Sequence, residues 1–193
     1  WCATSLAESL DAMAAPVKAL LLAAGLGTRL RPLTDTVPKC LVPIAGKPLI
    51  DYWFDALERA GIQEAVINTH HLPDAVRAHL EKVRAERPLV IHESYEPKLL
   101  GSAGTVHANR ALADGADEVL IIYADNLSSV DLAELVAFHR SHPDPVTMLL
   151  FHTPYPKQCG IAALDGEDRV VEFVEKPEHP KSDLANGGLY VVD

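Results

Sequence analysis

Cysteine is scarce in this chain: Cys2, Cys40 and Cys159 are the only three, an odd number with no paired ligand spacing. Neither a disulfide framework nor a zinc site is expected, and without a secretory-type apolar segment at the start the natural expectation is a reduced, cytoplasmic protein. Positive charge is also short. Lys and Arg number 17 against 27 Asp and Glu, a formal charge of −10, and that balance argues against non-specific nucleic-acid binding. No apolar run is long enough to span a bilayer. Internal repeats and low-complexity tracts are absent, and 193 residues suffice for one hydrophobic core with a small attached lobe. Any anionic substrate must therefore meet cations concentrated in one place.

Such a place is visible between Val17 and Pro43. Val17 to Ala24 is an apolar run suited to a strand buried on both faces, and Gly25 and Gly27 let the following turn approach a ligand closely. Arg29 and Lys39 then supply charge for phosphates, while Arg31 is expected to pair with Asp35, and Leu30 and Leu33 are expected to anchor the loop. The segment is not a Walker loop, because Gly46-Lys47-Pro48 lacks the hydroxyl and places a proline where a donor is needed. It is not a dinucleotide loop either, since position 30 is leucine where a third glycine is required.

Downstream, periodicity predicts helices over 49–60, 74–87, 104–112 and 131–139 and strands over 65–68, 89–92, 118–123 and 146–151. Alternation of this kind implies an α/β, Rossmann-like three-layer core with a mostly parallel sheet. Runs over 158–164 and 169–175 around Asp165-Gly166-Glu167-Asp168 read as a hairpin, and 188–192 as a last strand, giving a small sheet-rich lobe with a cleft beside the core. The expected division is an N-terminal extension over 1–16, a core over 17–153 and a lobe over 154–193 within the same compact domain. Met13 is a candidate initiator, with a short helix over 6–13 as an alternative.

Asp125 follows the apolar 118–123 strand at its carboxyl end, where open α/β sheets bind ligands. One carboxylate suits Mg²⁺, an ion that keeps waters and takes substrate phosphate oxygens. Gly101-Ser102-Ala103-Gly104-Thr105 offers small residues against which a flat ring could lie. Adjacent His70 and His71 point to opposite faces in an extended segment and cannot readily chelate one ion, and His139 and His142 read as surface residues of a helix end.

Gly25-Leu26-Gly27-Thr28-Arg29-Leu30-Arg31-Pro32-Leu33-Thr34 with Pro38-Lys39 resembles the signature of the sugar-1-phosphate nucleotidyltransferases, or nucleotide-sugar pyrophosphorylases. The likeness continues through Asn68-Thr69-His70, Gly101 to Thr105, Asp125-Asn126, Cys159-Gly160, Glu175-Lys176-Pro177 and Asn186 to Tyr190, covering residues 17–193 in the family's order. It departs at Cys40, where many members have a second proline.

The resemblance implies attack of a sugar 1-phosphate on the α-phosphorus of a nucleoside triphosphate with release of pyrophosphate, GTP with mannose 1-phosphate or a related hexose being the expected pair. UTP or dTTP dependence, or a weakly active regulatory homologue, stands as the alternative. It implies nucleotide contacts from Ala23, Ala24, Gly25, Gly27, Thr28, Arg29, Lys39, Gly101 and Ser102, with Glu93 accepting from guanine. It implies sugar-phosphate contacts from Asn126, Gly160, Glu175, Lys176 and Asn186, Mg²⁺ on Asp125, and Arg29, Lys39 and Asp125 as the catalytic set. The family's second metal-binding aspartate has no match before Asp193. A homodimer is the common assembly of such enzymes.

Overall fold

A computed structural model describes residues 16–193, so the expectations for a helix over 6–13, for Met13 and for Cys2 lie outside the described residues. The elements run in the order β1 (Val17–Leu22), β2 (Pro43–Ile44), β3 (Lys47–Pro48), α1 (Leu49–Arg59), β4 (Glu64–Thr69), α2 (Pro73–Glu86) and β5 (Val90–Tyr95). They continue with α3 (Gly101–Ala108), β6 (Glu118–Tyr123), α4 (Leu132–His139), β7 (Val146–His152), β8 (Gly160–Leu164), β9 (Val170–Glu175) and β10 (Leu184–Val192). Short 3₁₀ turns at Thr28–Leu30, Leu33–Asp35, Lys39–Leu41 and Arg110–Ala113 shape the connections.

β5, β4, β1 and β6 pair in that order, all parallel. β10 then lies antiparallel to β6, with β7 and β8 on β10 and β9 on β8. This is the expected Rossmann-like core with a smaller antiparallel lobe. The lobe hairpin is joined to the main sheet through β10, which starts beside β8 at Ala185 and finishes beside β6 at Val192. The strand changes partners at a register shift between Asn186 and Tyr190, where Gly188 takes φ +72°.

Strand alternation sorts the core into two faces. Ala19, Leu21, Leu120 and Ile122 pack with Ile50, Trp53, Phe54 and Leu57 of α1, Val76 and Leu80 of α2, and Leu132 and Val136 of α4. Leu20, Val119 and Ile121 turn to the opposite face, where Leu112 and Val106 cover them. α4 opens on Asp131, whose carboxylate accepts from the backbone of Ala133 and Glu134 at 2.8 and 3.3 Å, an N-cap in the ordinary sense. Among the described residues no helix is long and apolar enough to cross a membrane.

Three expectations need correction. Leu30 and Leu33 do not anchor the loop, being 43% and 45% exposed; Thr34 and Cys40, each 1% exposed, do so instead. The 104–112 helix begins earlier, at Gly101, and breaks at Asn109, whose side chain donates to the Thr105 carbonyl at 2.9 Å before the chain tightens into a 3₁₀ turn. His139 is buried, not a surface residue, because its Nδ1 meets the Thr147 hydroxyl at 2.8 Å and its Nε2 the Asp193 carboxylate at 2.9 Å.

Candidate nucleotide and sugar-phosphate site

Leu22 stands in register with Asn68 on one side and Tyr123 on the other, so the carboxyl ends of β1, β4 and β6 meet at one edge of the sheet. Parallel pairing makes this the ligand-binding edge of the fold. The chain leaving β1 is held there by Asn68, whose carboxamide oxygen accepts from the Ala23 and Ala24 amides at 2.6 and 3.1 Å. Its amide nitrogen donates to the Glu96 carboxylate at 2.9 Å and to the Thr105 hydroxyl at 3.2 Å. Glu96 also takes the Leu100 amide at 3.1 Å. Burial by itself would raise the Glu96 carboxyl, but donors from Asn68, Thr105 and Leu100 outweigh it and hold the group below the usual carboxylate range.

Gly27 has φ +64°, and the position its Cβ would occupy is 2.7 Å from Thr34 Cγ2. The Thr34 hydroxyl donates back to the Gly27 carbonyl at 2.8 Å, so the loop closes on a buried threonine. Gly25, by contrast, has nothing within 4 Å of that position.

Two adjoining cavities open at this edge. The larger, about 540 Å³, is bounded by the Gly25–Leu30 loop, Lys39, Asp125 and Asn126. The smaller, about 270 Å³, is bounded by Ala24, Gly25, Asn68, Glu96, Gly101, Ser102, Thr105, Tyr123 and Asp125 among others. Gly25 and Asp125 belong to both. Lys39 Nζ forms an ion pair with Asp125 Oδ2. Arg29 and Thr28 line the larger cavity, whereas Arg31 turns to Asp35 at 3.2 Å as expected.

On the far side, Trp53 Nε1 donates to the Asn126 carbonyl at 2.9 Å and fixes the turn after β6. Asn126 in turn crowds Gly188, where a Cβ would lie 2.7 Å from its Nδ2. Asn186 is engaged within β10, donating to the Tyr190 hydroxyl at 2.5 Å and accepting from the Gly188 amide at 2.8 Å. Burial, chiefly, and the neighbouring Tyr123 push the Tyr190 phenol up to about 12. A Cβ on Gly160 would fall 2.5 Å from Phe173 Cζ and 2.8 Å from a Glu175 oxygen, so this glycine makes room for β9 side chains. Glu175 and Lys176 are exposed partners at 3.6 Å, with Lys176 at φ +48°. Gly160, Asn186, Glu175 and Lys176 line neither cavity.

Glu93 is also elsewhere. It shares the β5 face of buried Ile91, which turns it toward α2, where it accepts from Arg77 Nε at 2.8 Å and from Thr69 Oγ1 at 2.5 Å. Glu96, one residue past the strand, takes the place beside Gly101 and Ser102. Asn68, Thr34, Glu96 and Trp53 are thus the residues whose part in the site sequence reasoning missed. Of these, Thr34 and Asn68 fell within the Gly25 to Thr34 and Asn68-Thr69-His70 blocks without a role, and nothing marked Glu96 or Trp53 for the site. Among the described residues no three His, Cys, Asp or Glu side chains gather as a metal cluster.

The nucleotidyl transferase family profile matches residues 18–193. A mannose-1-phosphate guanylyltransferase of Mycobacterium tuberculosis is 38% identical over 177 residues, 92% of this chain and 49% of that protein. Mannose-1-phosphate guanylyltransferase 1 of Arabidopsis thaliana is 33% identical over 180 residues, 92% of this chain and 50% of its own. The chain thus spans about half the length of the curated relatives it matches. A solved structure assigned as a glucose-1-phosphate thymidylyltransferase of Bacillus anthracis, in complex with sucrose, superposes with a TM-score of 0.83 at 27% identity, covering 92% of this chain and 71% of that one. By fold, by the arrangement of its β1 loop and by sequence over nearly its whole length, the chain belongs to the nucleotidyl transferase family, beside the sugar-1-phosphate nucleotidyltransferases.

Proposed function

We propose that the protein forms a nucleoside diphosphate sugar and pyrophosphate from a nucleoside triphosphate and a sugar 1-phosphate, with GTP and mannose 1-phosphate or a related hexose as the pair. The observation that carries this reading is Asp125 on the wall common to the two cavities, ion-paired to Lys39 on the larger one. One cavity offers backbone and cations suited to a triphosphate, the other offers small residues suited to a base. Arg29 and Lys39 hold the triphosphate and stabilise charge on the leaving pyrophosphate, which is where charge builds up.

Asp125, a carboxylate on the wall of the larger cavity with Lys39 at its Oδ2, fits a Mg²⁺ ion of the kind that needs one carboxylate and otherwise takes water and phosphate oxygens. Bound there, the ion would neutralise phosphate charge and help align the two substrates. Glu175, Lys176, Gly160, Asn126 and Asn186 are assigned to the sugar-phosphate side, in the 154–193 segment and its contact with Asn126. Lys176, exposed beside Glu175, is assigned to orienting the nucleophile. No side chain acts as general base, because a phosphate monoester is already largely ionised near neutral pH. Guanine is favoured over uracil and thymine by the guanylyltransferase relatives.

The test is pyrophosphate release by the full-length protein with Mg²⁺, crossing GTP, UTP, dTTP and CTP with a panel of hexose 1-phosphates. GTP with mannose 1-phosphate or a close relative should be fastest. Faster turnover with UTP or dTTP would reassign the base, and no release with any pair would overturn the reading.

A further inference from the structure

His70 and His71 have no common ion to bind, yet both rings are engaged. They lie just past the end of β4, His71 at a bend of the chain, and each reaches a backbone carbonyl on a different wall of the cleft. His70 Nδ1 lies 2.7 Å from the Glu96 carbonyl, and His71 Nε2 lies 2.9 Å from the Thr34 carbonyl. A carbonyl oxygen only accepts, so His70 carries its hydrogen on Nδ1 and His71 carries its own on Nε2.

The two carbonyls belong to the residues that organise the two cavities. Thr34 is the buried residue on which the Gly27 turn closes. Glu96 gathers Asn68, Thr105 and the Leu100 amide, and its own amide donates to the Thr69 carbonyl at 2.8 Å. Four consecutive residues at the end of β4 thus grip both walls: Asn68 the Ala23-Ala24 backbone and Glu96, Thr69 and His70 the Glu96 backbone, His71 the Thr34 backbone.

We propose that His70 and His71 are positioning residues that set the two walls separately, His71 the Gly25–Thr34 wall on the triphosphate side and His70 the Glu96–Ser102 wall on the base side. This rests on the nucleotide-binding reading above. Ring geometry supplies paired controls, since a glutamine amide reaches the place of Nε2 and an asparagine amide the place of Nδ1. His71→Gln and His70→Asn keep the donor, whereas His71→Asn and His70→Gln lose it.

Steady-state kinetics and backbone amide exchange on the full-length protein test the proposal. A lost bond of ordinary strength is expected to raise KM for the triphosphate by about threefold to tenfold in His71→Asn and His70→Gln. His71→Gln and His70→Asn should stay near wild type, and KM for the sugar 1-phosphate should stay unchanged in all four. Preference among GTP, UTP, dTTP and CTP should shift in His70→Gln alone. Exchange should quicken over 25–34 only in His71→Asn and over 96–105 only in His70→Gln. Equal effects of Asn and Gln at either position, or faster exchange over both walls with either variant, would overturn the proposal. If the wild-type protein turned over no triphosphate, the functional reading would fall, and the exchange pattern alone would then decide whether the two walls are held separately.

Discussion

Gly25 and Gly27 stand two residues apart on the loop after β1, and alanine at each is expected to fail for a different reason. At Gly27 the backbone is left-handed, φ +64°, which costs an L-residue about 1–2 kcal/mol. The new methyl would also lie 2.7 Å from Thr34 Cγ2, 3.1 Å from Thr34 Cβ and 3.3 Å from Lys39 Cβ. Thr34 cannot swing aside, because it is buried, its hydroxyl is bonded to the Gly27 carbonyl and its carbonyl is bonded to His71. Overpacking of this kind adds about 1–3 kcal/mol, for a total loss of about 2–5 kcal/mol in Gly27→Ala. With roughly 2–4 °C per kcal/mol for a chain of this size, the thermal midpoint should fall by about 4–20 °C. Gly25→Ala meets no atom within 4 Å, so its midpoint should stay within about 0.5 kcal/mol of wild type. Its methyl projects where both cavities meet, however, and should raise KM for the triphosphate by about tenfold or more if phosphates lie against the Gly25 backbone. Thermal denaturation and pyrophosphate-release kinetics on both variants separate the two effects. A wild-type KM in Gly25→Ala, or a wild-type midpoint in Gly27→Ala, would refute the reasoning.

Asp125→Ala should lower turnover by about 10²–10³-fold and abolish the Mg²⁺ dependence of the rate; normal Mg²⁺-dependent rates would reject the metal assignment. Trp53→Phe keeps the buried ring but removes the donor to the Asn126 carbonyl, leaving a polar atom unpaired at a cost of about 1–3 kcal/mol. Chemical denaturation should show that loss, and turnover should drop with it, whereas an unchanged denaturation midpoint would mean that the bond holds nothing. Glu96 titrates below its ordinary value of 4.5 in the folded chain, so its carboxylate stabilises the fold at pH above that value and the contribution is lost as pH falls through the lower folded value. Glu96→Gln should therefore be less stable than wild type at neutral pH, and the gap should narrow on acidification below 4.5; a gap independent of pH would exclude the carboxylate as its source.

The parts of this molecule that were legible in the sequence are those whose chemistry is compressed into a few neighbouring residues. β6 is correct to the residue because Val119–Ile122 is apolar on both faces, and Gly25, Arg29, Lys39 and Asp125, proposed for the site by residue type, line one cavity. Glu93 shows where this stops. It and Glu96 are both acids near the end of β5, and only the strand's alternation, together with an arginine on α2, sends the first to Arg77 and leaves the second for the cleft. The expected strand end at residue 92 hid that alternation, since β5 continues to Tyr95 through pairing with β4, where Glu93 faces Ile67 and Tyr95 faces Thr69. His139 was obscured in the same way, its carboxylate partner lying 54 residues ahead. Gly25, Arg29, Lys39 and Asp125 line a cavity with room for a ligand, and residue type suffices to propose them. Asn68, Thr34 and Glu96 instead spend their hydrogen bonds on other parts of the chain, 28 residues away for Asn68 with Glu96 and 37 for Thr34 with His71. Substituting a substrate-facing group should therefore alter one kinetic constant, whereas substituting a residue of the second kind should move a wall of the cleft.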